Sequence, residues 1–149
     1  MTLNGVENQK VEIKIHNYQF PDSTDKEYDG NWLHIYLKVE SIVGNWQSID
    51  PSLITWEVQE IINWFKDLSQ DKEPKNTDLD FIEPNLSFRL MNDVNNPKKT
   101  IRVAFDLESR PKSAKDEIDY FVEFCLKNAE LEKAAKDFEL DLSKFPVRK

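Results

Sequence analysis

Hydrophobic residues in this chain follow two rhythms, and the rhythm changes within each half. Val11, Ile13 and Ile15 alternate with Glu12, Lys14 and His16, the period of a strand with one buried face. The alternation reaches Tyr18-Gln19-Phe20 and stops at Pro21, while residues 1–8 before it are polar and expected to fray. Leu33, Ile35, Leu37 and Val39 alternate with His34, Tyr36, Lys38 and Glu40. This second strand predicts an antiparallel hairpin closed by the long acidic connection between the two. Ile42-Val43 lead into the turn signal Gly44-Asn45, and Trp46 opens a short return segment. Asp50-Pro51 closes that segment, because a residue before proline avoids helical backbone.

The rhythm then becomes helical. Val58, Ile61, Ile62, Phe65 and Leu68 form one apolar face, with Trp64 at its edge and Trp56 on the opposite side. Ser52 or Thr55 can cap this helix, and Glu57 in its first turn suits the helix dipole. Beyond the charged loop 71–78, the stretches 79–82, 86–90 and 101–107 read as strands, separated by Pro84-Asn85 and by the turn 92–99. From Ser113 the spacing of Ile118, Phe121, Val122, Cys125 and Ala129 predicts a second helix. Phe124, Leu131, Ala135 and Phe138 fall on another face, so that helix is either buried on two sides or broken near Asn128. Phe145 is placed to pack the closing segment. The predicted fold is α+β, one domain over residues 1–149. It is a mostly antiparallel twisted sheet of about six strands in the order β-β-β-α-β-β-β-α, with the helices packed on its core face.

Composition narrows the partners more than the fold. A chain of 149 residues that is 39% hydrophobic is long enough to form a core. Its net charge of −8, from 20 basic and 28 acidic side chains, argues against binding nucleic acid and suits a basic protein partner. The single cysteine, Cys125, cannot form an intramolecular disulfide and is expected as an inert buried thiol on the second helix. The beginning of the chain lacks the pattern of a signal peptide, and no stretch approaches the roughly 20 apolar residues of a membrane span. The expected location is the cytoplasm.

Candidate chemistry is sparse. Gly5, Gly30 and Gly44 stand too far apart for a phosphate-cradling loop. His16 and His34 fall on the polar face of neighbouring strands without a third metal ligand. Asp50 and Glu83, each before a proline, are the acids in unusual settings; a glycosidase would hold two such groups about 5–10 Å apart, and the simpler reading has them satisfy turn amides. No catalytic, cofactor-binding or metal-binding residue is assigned. Trp32, Trp46 and Trp56 offer a stacking platform for a sugar or peptide, although Trp32 and Trp46 more simply pack the sheet. Trp56, expected to be exposed among Asp50, Glu57 and Glu60, suits a protein interface.

Several segments, in order and spacing, resemble the WapI-type immunity proteins of bacterial polymorphic-toxin systems. They are Tyr18-Gln19-Phe20-Pro21, Asn31-Trp32-Leu33, Gly44-Asn45-Trp46, Asp50-Pro51, Leu53 to Thr55, Trp64-Phe65 through Leu68, and Phe81 to Phe88. The resemblance covers about 18–90 and returns at Phe145-Pro146. The chain departs from the pattern at Ser52, where the family has cysteine, and at Phe65, where it has leucine. The resemblance implies a small cytoplasmic, non-enzymatic protein that neutralises a cognate toxin domain by stoichiometric occlusion, in the founding system a toxin acting on tRNA. It supplies no binding residues. Asp22, Asp25, Glu27 and Asp29, together with Trp56, Glu57 and Glu60, are the expected partner-binding residues, and a small-ligand module using the tryptophans is the alternative.

Overall fold

The computed structural model describes residues 1–149, and in it each half of the chain is four antiparallel strands followed by one helix. The first half comprises β1 (Thr2–Asn4), β2 (Lys10–Tyr18), β3 (Trp32–Ser41), β4 (Gly44–Ile54) and α1 (Thr55–Ser69). The second comprises β5 (Asp78–Leu79), β6 (Leu86–Leu90), β7 (Lys98–Phe105), β8 (Tyr120–Lys127) and α2 (Asn128–Leu142). The strands form two separate four-stranded sheets, ordered β1-β2-β3-β4 and β5-β6-β7-β8. The expected single sheet of about six strands is therefore corrected to two. The strand expected at 79–82 is shortened to β5, and the two strands beyond the expected six are β1, whose three residues cannot display a period, and β8, which was read as helix.

The hairpin of β2 and β3 forms as expected, with Ile13 opposite Leu37 and Ile15 opposite Ile35. A bulge at His16 shifts the register so that Asn17 faces His34. Residues 1–8 do not fray as a unit. Leu3 pairs with Val11, and Met1 and Leu3 are buried in the core. Asp50-Pro51 does not end the return strand either, since β4 runs through it to Ile54. Proline is tolerated there because β4 is an edge strand, and a register shift between Leu33 and His34 lies opposite.

The largest correction concerns 113–127. Residues 111–119 are loop and turn, and Tyr120–Lys127 is a strand, with the helix beginning only at Asn128. Val122, Phe124 and Leu126 face inward while Phe121, Glu123 and Cys125 face out, so period two wins over the helical spacing. Cys125 is consequently exposed, 3.5 Å from Thr100 Oγ1, rather than buried on a helix.

One hydrophobic cluster joins both sheets and both helices. The helices cross over. Trp64 and Phe65 of α1 lie 6.2 and 5.9 Å, centroid to centroid, from Phe88 of the second sheet. In return α2 packs beside β1 and β2 of the first, where Asp141 accepts the Ile15 main-chain N–H at 2.6 Å. The helices also pack on each other, and Asp71, Lys99 and Asn128 join the end of α1, the start of β7 and the start of α2.

Candidate partner-binding surface

The acidic loop 19–31 is folded on itself and tied down at both ends. Ser23 Oγ accepts the Asp25 N–H at 3.1 Å, and the Asp25 carboxylate accepts those of Glu27 and Asp29 at 2.8 and 3.1 Å. Asp25 thus shapes the loop from inside, an Asx-type role, and only Asp22, Glu27 and Asp29 turn fully outward. The chain closes tightly enough that a Cβ on Gly30 would sit 1.7 Å from the Asp25 carbonyl oxygen, so only glycine fits.

Asn31 anchors the loop from beneath. It is fully buried, and its amide nitrogen donates to the carbonyls of Glu27 at 2.6 Å and Arg148 at 3.1 Å. Its side-chain oxygen accepts from Thr55 Oγ1 at 2.9 Å and from the Arg148 N–H at 2.8 Å. One amide therefore connects the loop, the start of α1 and the closing segment of the chain. The family resemblance includes Asn31 in Asn31-Trp32-Leu33 but gives it no role, and by residue type alone an asparagine before a strand reads as ordinary loop.

The structure brings the loop to Trp56. Tyr28 at the loop tip meets the Trp56 ring edge to face, 5.4 Å between centroids. Trp56 is half-buried rather than free, and Tyr28 covers it while remaining exposed itself. Glu60 is exposed one turn along α1. Glu57 is not on this surface. Its side chain folds back under the helix start, accepting the N–H of Ile54 at 3.0 Å and that of Ile82 at 2.8 Å. This is the acidic half of a capping box, and neither Ser52 nor Thr55 performs the cap. Burial holds the Glu57 carboxyl above its ordinary pKa, against the two main-chain N–H bonds that lower it.

A cleft of about 320 Å³ opens at the base of the loop, lined by Gln19, Trp32, Asp50, Glu83, Asn85 and Glu108. The two acids before prolines thus share one hollow with a tryptophan, and neither caps a turn amide. The Asp50 carboxyl is raised above its ordinary pKa, chiefly through burial and then through Glu108, with His34 opposing. Trp46 lies elsewhere. Its ring meets Phe105 edge to face at 5.4 Å and its Nε1 donates to the Ser109 carbonyl at 2.8 Å, closing β4 against the second sheet. No group of three or more His, Cys, Asp or Glu side chains is arranged to hold a metal ion, and no helix is long and apolar enough to cross a membrane.

The family model described as "Immunity protein WapI-like family" matches residues 2–146. No curated protein and no solved structure matches the chain.

Proposed function

We propose that this chain, which belongs to the WapI-like immunity protein family, binds a cognate toxin domain one to one and neutralises it without turnover. The observation that carries the reading is the extent of the match, 2–146, which takes in both sheets, both helices and the acidic loop. The binding face is the loop with outward Asp22, Glu27 and Asp29, the Tyr28–Trp56 pair and Glu60. Asp25 and Glu57, which hold main-chain N–H groups, support that face from within. A chain of net charge −8 suits a basic toxin, such as a nuclease, because opposite fields speed encounter while a few buried aromatics hold the complex. Binding covers the toxin's active site or the surface it turns to its substrate.

The test uses the reading frame beside this gene. Its C-terminal domain is expressed with and without this chain, scoring survival and co-purification. Rescue with a co-purifying pair is expected; a toxic neighbour that the chain neither rescues nor binds would remove the pairing. The gathering of Trp32, Asp50 and Glu83 around one cleft favours a second reading, a small-ligand site. A saturable shift of tryptophan emission with an oligosaccharide panel would support it.

A further inference from the structure

The segment Phe145–Arg148 lies across the base of the acidic loop, far from it in sequence. The Arg148 guanidinium donates to three carbonyls of the loop, Phe20 at 2.9 Å, Pro21 at 2.7 Å and Ser23 at 3.3 Å. Its Cζ lies over the Tyr18 ring, 3.8 Å from the ring centre. Tyr18 in turn donates its hydroxyl to the Pro146 carbonyl at 2.5 Å and takes the Phe145 ring edge to face. Arg148 main chain completes the clasp, its N–H and carbonyl both bonded to the buried Asn31 amide.

From this geometry we infer that Arg148 and Asn31 are positioning residues for partner recognition, holding loop 20–30 in one shape before any partner arrives. The inference rests on the proposed use of this loop as the binding face. Both terminal nitrogens of the half-buried guanidinium are directed at the loop's own backbone. Such a brace removes the ordering cost that a floppy eleven-residue loop would add to binding. The acidic side chains then meet the partner as a fixed array, and the segment that fixes them touches no partner.

Amide exchange on the full chain tests the brace directly, comparing the parent with Arg148→Ala and Arg148→Lys. The amides of Glu27 and Asp29 should exchange roughly tenfold faster in Arg148→Ala, with those of Ile35 and Leu37 unchanged. Arg148→Lys should not restore protection, because an ammonium cannot span three carbonyls and stack. Unchanged loop exchange overturns the proposal, and so does full rescue by lysine. The second arm measures affinity for the toxin domain that co-purifies in the survival assay. Arg148→Ala should weaken binding roughly tenfold, with the parent's salt dependence retained. A loosened loop with parental affinity overturns the positioning role. Separately, Asp22→Asn, Glu27→Gln and Asp29→Asn combined report on the binding face: parental affinity in that variant at low salt removes the face, while the exchange result still judges the brace.

Discussion

Glu57 illustrates how a single side chain changes meaning once its surroundings are known. At the third position of a helix an acid reads as an exposed partner for the dipole, yet here it is 4% exposed and bridges two segments of backbone. Its folded-state pKa is raised, so between the ordinary glutamate value and that raised value the folded chain binds more protons than the unfolded one. Its contribution to stability therefore declines as pH rises through that window and levels off above it. The urea-unfolding free energy of the parent, less that of Glu57→Gln, should fall across the same window; a difference that rises instead would contradict the burial argument. The role of Asn31 was equally illegible, although the residue belongs to one of the segments that carry the family resemblance. Its importance comes from Thr55 and Arg148, 24 and 117 residues away, and no local pattern reports such partners.

Among the elements, those whose buried face repeats over several residues could be read directly. Leu33 to Val39 and Val58 to Leu68 each sample one face often enough that chance agreement is remote. The stretch 118–125 failed because four apolar residues fit helical spacing while Val122, Phe124 and Leu126 fit a strand. Sheet membership was not legible, since it depends on which edges pair across long loops. The clasp at Lys99 belongs to this scale. Its side chain is fully buried, its ammonium donates to Asp71 and Asn128, and Asp71 is held below its usual pKa chiefly by Lys99. Asp71→Asn leaves a buried ammonium facing only neutral oxygens, whereas Lys99→Met removes the charge and keeps most of the volume. Asp71→Asn should therefore lower the urea midpoint more than Lys99→Met, and the reverse order would show that the buried ammonium does not depend on the Asp71 charge. With its pKa lowered in the fold, the stability Asp71 supplies is present above the ordinary aspartate value and is lost as pH falls through the folded one.

For the whole molecule, charge decides how quickly a partner arrives more than how long it stays. Neutralising Asp22, Glu27 and Asp29 together should slow association with a basic toxin domain roughly tenfold at low salt and change dissociation little. The gap between variant and parent should close at about 0.5 M salt, where the screening length falls to a few ångströms. Stopped-flow mixing reads both, and a salt-independent gap would mean that contact rather than steering is at work. The candidate surface was partly legible at this scale, because the excess of acids is a matter of counting. That Tyr28 would close over Trp56 was not, since the meeting depends on the folded loop.

The crossed helices also set a timetable for synthesis. The first sheet is fully made once Ile54 leaves the ribosome, but part of its cover is α2, the last element of the fold, ending at Leu142. At about 5–20 residues per second the nascent chain spends on the order of ten seconds with β1 and β2 lacking that cover. The brace on the acidic loop arrives later still, with Arg148. A cell making this protein therefore gains the braced loop only when Arg148 has emerged, and a partly made copy carries the acidic residues without their fixed arrangement.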